Sequence, residues 1–170
     1  MRRLRIIALL LLASAAAARA QGPSLAIGIN VPVGGFADVA GSGFSVALRD
    51  EGELGWVTQR WAQMAYRLDV DFTHFAKRGS TPSMEFQSVS FNLMHRPSLT
   101  LYEFAGPGIY NSTASRSDRY SRRGTNFGVQ GGVGYVWESK YQPFVEFGAT
   151  NLFTSGSNTP WFVIRTGGHF

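Results

Sequence analysis

The chain has no cysteine, and lysine occurs only at positions 77 and 140. Without thiols it can build neither a disulfide framework nor a thiolate metal site, so its fold rests on packing and backbone pairing. Charge is sparse as well, at 16% of residues, and only three histidines occur, His74, His95 and His169. Long apolar runs are missing with one exception, residues 6–18. That run has 13 residues, where roughly 20 are needed for a helix to cross a bilayer. It follows Arg2, Arg3 and Arg5 and ends at Ala18-Arg19-Ala20, so residues 1–20 read as a secretory signal peptide and 21–170 as one mature domain.

The apparent basicity goes with the signal. Of 16 basic residues against 11 acidic ones, Arg2, Arg3, Arg5 and Arg19 lie in the first 20, leaving 12 against 11. A mature charge near +1 offers no basic face for nucleic acid.

What the chain has in quantity is glycine (20 residues) and aromatic side chains (14%), a composition suited to strands and tight bends. The dominant pattern is two-residue alternation. Leu25, Ile27, Ile29 and Val31 alternate with Ala26, Gly28 and Asn30; Phe44, Val46 and Leu48 alternate with Ser45, Ala47 and Arg49. Residues 50–59 then read as a polar connection. The third segment is the clearest: Met64, Tyr66, Leu68, Val70 and Phe72 face away from Ala65, Arg67, Asp69, Asp71 and Thr73. Val89, Phe91 and Leu93 oppose Ser88, Ser90 and Asn92, and Arg96-Pro97 makes a turn. A fifth segment, 99–110, sets Tyr102 and Phe104 against Glu103, with Leu99 and Leu101 on the Glu103 side. Val129, Val133, Tyr135 and Trp137 oppose Gly128, Gln130, Gly132 and Gly134; Val145, Phe147 and Ala149 oppose Glu146, Gly148 and Thr150. In the last segment, 161–170, Phe162, Ile164 and Phe170 oppose Trp161, Val163 and Arg165.

Eight such segments predict an all-β fold, an eight-stranded antiparallel up-and-down transmembrane β-barrel, with strand eight closing on strand one. A soluble barrel turns its apolar row inward. Here the polar row is arginine, carboxylate and small residues instead of lysine and glutamate, which suits a narrow, filled lumen. Arg49, Arg67, Asp69, Asp71, Glu103, Glu146 and Arg165 are the expected lumen charge network, closing the interior without an open pore. The apolar row then meets outer-membrane lipid. Trp61, Tyr135, Trp137 and Phe170 would form one aromatic girdle and Phe75, Tyr110, Phe153 and Trp161 the other. An even strand number puts both ends on one side, the periplasm, with short turns there and longer loops outside.

The signal, residues 32–44 (PVGGFADVAGSGF), 101–111 (LYEFAGPGIYN), 128–135 (GVQGGVGY) and the terminal Phe170 together resemble the small outer-membrane barrel domains of the OmpA/opacity-protein type. The resemblance covers the mature chain and implies a bacterial outer-membrane location. It also implies a terminal strand read by the outer-membrane assembly machinery, with Phe170 as the assembly signal. A monomer is expected. No peptidoglycan-binding domain follows, so an anchoring role is not expected.

Catalysis finds little support. No histidine carries the H-x-S-N pattern of lipid A deacylases, and His74 has only Asp71, on the opposite face, as a partner. Asp69 and Asp71 sit beside Arg67, which favours ion pairing over calcium. The run GVQGGVG lacks the Lys-Ser or Lys-Thr of a phosphate loop. No enzyme activity, metal or cofactor is expected. Residues 111–124 hold Arg116, Arg119, Arg122 and Arg123 against Asp118, a local charge of +3 suited to lipopolysaccharide phosphates. The expected role is structural or surface contact through external loops. The alternatives are a secreted soluble lipocalin-like barrel with an apolar ligand and a narrow channel.

Overall fold

The computed structural model describes residues 23–54, 64–115, 121–154 and 157–170, without the side chains of 115, 121–123 and 157. The signal segment, Trp61, Arg116 and Arg119 lie outside the described residues. Eight strands form one closed antiparallel barrel in sequence order: β1 Ser24–Pro32, β2 Ala40–Glu53, β3 Met64–Lys77, β4 Ser83–His95, β5 Leu101–Ser115, β6 Ser121–Val136, β7 Phe144–Thr154 and β8 Ser157–His169. A short helix, α1, Gly35–Val39, bridges β1 and β2. As expected, β8 closes on β1, with Ile29 opposite Ile164 and Gly28 opposite Arg165.

The register fixes the geometry. Leu25 pairs with Leu48, Leu48 with Val70, Val70 with Val89, Val89 with Ile109, Ile109 with Phe127, Phe127 with Phe153 and Phe153 with Asn158. The β8–β1 register then carries Asn158 to position 35, a stagger of 10 residues per circuit from Leu25. With strands ~4.8 Å apart and ~3.3 Å per residue, eight strands at that stagger tilt by about 40° around a radius of about 8 Å. Such a lumen is filled by side chains.

Polarity is inverted relative to a water-soluble barrel. Ile29 is 64% exposed, whereas Arg67 is fully buried. The outward rows of β1, β2, β4, β6 and β8 are those the alternation predicts, from Leu25, Ile27 and Ile29 through Phe44 and Val46 to Phe162 and Ile164. A soluble carrier of apolar ligands needs the reverse arrangement. Two polar cross-strand pairs mark the ends of this belt on the outer face. His74 meets Glu85 at 3.5 Å and His95 meets Glu103 at 2.9 Å. Glu85 and His95 are 10 residues apart along β4, which at that tilt is about 25 Å of height, the thickness of a transmembrane apolar band.

The lumen holds three layers. Nearest the termini, Ala65, Met94, Tyr102 and Phe104 pack together beside Ala26, Ala47 and Phe144. Charged side chains occupy the middle. At the far end Phe36, Phe75, Phe86, Tyr110, Leu152 and Trp161 form an aromatic stopper, with Phe75 5.0 Å from Phe36 and 5.4 Å from Trp161 between ring centres. Phe36 reaches in from α1, a segment that reads as a glycine-rich link. Phe75, Tyr110 and Trp161 are therefore not girdle residues. Each shares its parity with inward neighbours, Thr73, Gly108 and Val163, and turns into the lumen, while Phe153, Tyr135 and Trp137 do face outward.

Two further expectations are corrected. β2 runs on to Glu53, so residues 50–53 are strand, and Glu51 bonds Arg96 at 2.9 Å. The connections after odd-numbered strands are not the longer ones. Most of the arginine-bearing stretch 111–124 is itself strand, because β5 and β6 continue to Ser115 and from Ser121. Beyond the belt a strand no longer needs an apolar face, so its polarity reads as loop.

Glycines on the inner row make room for large inward side chains. A Cβ on Gly134 would lie 2.2 Å from Cζ of Tyr102. Gly134→Val should therefore cost about 1–3 kcal/mol by overpacking, seen as a lower urea midpoint of the detergent-folded protein. An unchanged midpoint would contradict the placement of Tyr102.

Candidate functional site

The middle layer brings together six of the seven predicted network residues. Glu146, from β7, is the hub. Its Oε1 and Oε2 accept from the two terminal nitrogens of Arg49 on β2, at 2.9 and 2.6 Å, a bidentate pair. Its Oε1 also accepts from Arg67 on β3 at 2.6 Å and from the Tyr102 hydroxyl on β5 at 2.7 Å. Arg67 Nε lies 3.0 Å from Asp69, and Arg49 Nε lies 3.5 Å from the same oxygen. Arg165 on β8 pairs with Asp71, which also accepts from Thr73 Oγ1 at 2.7 Å. Three arginines thus meet three carboxylates, and the cluster is neutral.

Amides complete the layer. Asp69 Oδ2 accepts from Asn92 at 3.1 Å and from Gln130 at 3.0 Å, and Gln130 also donates to Ser90 and Asn92. Aromatic faces close it from the terminal side. The Arg67 guanidinium lies 3.8 Å from the centre of the Phe104 ring, and that of Arg49 lies 5.0 Å from that of Phe144. The charges are held between two apolar layers. On the terminal side a cavity of about 430 Å³, lined by Glu51, Met64, Arg96, Tyr102 and Trp137 among others, opens below the network without reaching through it.

Glu103 is the exception. It faces outward, exposed, against His95, because β5 turns Tyr102 and Phe104 inward. The signal was present in the sequence: Leu99, Leu101 and Ile109 share the parity of Glu103, whereas Gly106 and Gly108 share that of Tyr102, and on β1, β2, β6 and β7 most glycines lie on the inner row. The same reversal hid Tyr102 as a ligand of Glu146. Among the other sites, Arg122 and Arg123 begin β6. Phe170 follows β8 and is 71% exposed, and its amide donates to the Pro23 carbonyl at 3.1 Å. His74 faces outward toward Glu85 while Asp71 points into the lumen, so the two do not form a dyad.

Three solved structures share this architecture. The attachment invasion locus protein Ail of Yersinia pestis aligns with a TM-score of 0.55 at 15% identity, covering 88% of this chain and 99% of that one. Neisserial surface protein A gives 0.55 at 10% identity, covering 89% and 99%. The N-terminal barrel domain of Pseudomonas aeruginosa OprF gives 0.52 at 13% identity, covering 89% and 100%. The fold is that of the eight-stranded outer-membrane barrels. No protein-family model and no curated protein sequence matches the chain. Ail has also been solved in complex with the heparin analogue sucrose octasulfate.

Removing the hub should be severe. Glu146→Ala leaves two arginines buried without their shared carboxylate and should cost about 3–5 kcal/mol, read as a shift of the denaturant midpoint. Combining Glu146→Ala with Arg49→Met should recover part of that loss. A double variant no more stable than the single one would rule out uncompensated charge as the cause.

Proposed function

We propose that this chain is an integral protein of the bacterial outer membrane, a single-chain barrel with a closed interior whose role is structural or surface contact at the end opposite its termini. The observation that carries the reading is the inverted polarity. An outward apolar belt about 25 Å tall surrounds a neutral, hydrogen-bonded charge layer, and only a lipid environment makes that arrangement favourable. The likeness to Ail, surface protein A and the OprF domain supports the bacterial outer membrane as that environment.

The end opposite the termini then faces outward and carries the basic stretch with Arg116, Arg119, Arg122 and Arg123. Guanidinium groups pair bidentately with phosphate, and lipopolysaccharide presents phosphate at that level. The sulfated ligand seen on Ail fits the same polyanion chemistry. Substituting all four arginines with glutamine should reduce co-purifying lipopolysaccharide, and an unchanged amount would remove this contact from the reading.

The barrel itself is tested by extraction and electrophoresis. Folded protein should require detergent for release from membranes and should migrate differently before and after boiling. Release by salt or alkali alone would overturn the membrane assignment. In planar bilayers the folded protein should pass no steady current, because the aromatic stopper and the charge layer both close the lumen. Sustained single-channel steps would favour the narrow-channel alternative.

A further inference from the structure

One register row on the outer face joins Pro107, Val129, Asn151 and Pro160, and the Val33 amide extends it by donating to the Pro160 carbonyl at 3.1 Å. Below it Ala105, Gly131 and Ala149 pair in the same way. These flat and small residues floor an open groove of about 650 Å³ in the wall. Stacked rings stand along its sides, Phe127 with Phe153 at 6.1 Å above and Phe147 with Phe162 at 5.6 Å below, all of them exposed. The stagger of the barrel makes such a row climb by about 3 Å per strand, so the groove is inclined by about 40° to the membrane plane. It starts beside Val33, at the level of Glu85, and descends about 12 Å to Pro107 over a length of about 19 Å, which is half the height of the belt. About 6 Å below its upper end the floor carries Asn151, whose Oδ1 is buried without a hydrogen-bond partner between Val129 and Pro160. An acceptor placed there calls for a donor from whatever fills the groove.

We propose that this groove holds an acyl chain of an outer-leaflet lipid, of the kind that carries an N–H or O–H donor near its head: an amide-linked, hydroxylated chain such as lipopolysaccharide has. The proposal rests on the outer-membrane reading above. The groove's descent from the polar level to the middle of the belt matches one leaflet of a hydrocarbon core about 30 Å thick. A donor a few ångströms below the headgroup would meet Asn151 Oδ1, whereas a plain ester-linked chain offers only acceptors at that depth and leaves the oxygen unmet. A flexible chain can follow the slope between the two ring pairs. A second copy of this chain cannot. Two barrels inserted in the same direction are related by an axis along the membrane normal, so their ring ridges would cross at about 80° instead of lying in each other's grooves.

The test uses the full chain folded in phosphatidylcholine nanodiscs and two phosphate-free glucosamine lipids of equal chain length, one amide-linked and 3-hydroxylated, the other ester-linked without the hydroxyl. Leaving out phosphate removes any contribution from the basic stretch at 111–124. Native mass spectrometry after transfer to detergent counts the lipid retained. The amide-linked lipid should be retained about tenfold better, the worth of one hydrogen bond. Asn151→Leu should abolish that preference, and Ala149→Phe, which fills the floor from the lipid side, should lower retention of both lipids. Folding is read independently from the boiled and unboiled gel mobilities, so loss of the mobility shift in the unaltered protein would sink the membrane barrel, whereas lipid retention decides the groove. The lipid pair on the unaltered protein keeps the comparison decisive even if a variant folds poorly. Equal retention of the two lipids, a preference that survives Asn151→Leu, retention unchanged by Ala149→Phe, or a dimer mass that Ala149→Phe abolishes would each overturn the acyl-chain site.

Discussion

One carboxylate holds the interior together. Glu146 receives donors from β2, β3 and β5 while itself standing on β7, so half of the wall is tied through a single side chain. In water such a carboxylate would be satisfied by solvent and would organise nothing. Here it is buried between apolar layers, where each unmet hydrogen bond is expensive, and that expense makes the arrangement specific. The inner glycines, the inward Tyr102 and the ring faces under the arginines follow from giving this carboxylate and its partners enough room and no water.

The layers above and below the network have a different duty. The stopper of Phe36, Phe75, Phe86, Tyr110 and Trp161 keeps solvent from entering at one end, and Phe104 and Phe144 lie across the guanidinium groups at the other. A closed centre leaves the two rims as the places where the molecule meets anything beyond its apolar belt. The rim opposite the termini is the more developed, with α1 folded over it and the β5–β6 hairpin rising beyond it.

The strands were legible because their faces differ so sharply. Arg67, Asp69 and Asp71 alternating with Leu68 and Val70 leave no second arrangement for β3, and β1, β2, β4, β6, β7 and β8 read nearly as clearly. β5 was ambiguous because its outward row contains Glu103 and its inward row contains Tyr102 and Phe104, so hydropathy alone assigns it backwards. Parity with the glycines would have corrected it. The aromatic stopper was misread for a related reason. Aromatics near strand ends suit either a girdle or a lumen plug, and only parity separates the two. The hub role of Glu146 was not legible at all, because it joins residues 44 to 97 positions apart that local pattern does not connect. The charges were foreseeable, and their partners were not.

Those partners have a consequence for how the wall closes. β2 and β3 together carry Arg49, Arg67, Asp69 and Asp71 of the network, and β7 and β8 carry Glu146 and Arg165, directly opposite each other in the register. The network charges on each hairpin thus balance among themselves. In the closed barrel the pairings cross the lumen: Glu146 serves the arginines of β2 and β3, and Arg165 goes to Asp71. The lumen charges of each hairpin can therefore pair within it before the barrel closes, and closure becomes an exchange of partners between two sets of network charges that are each neutral.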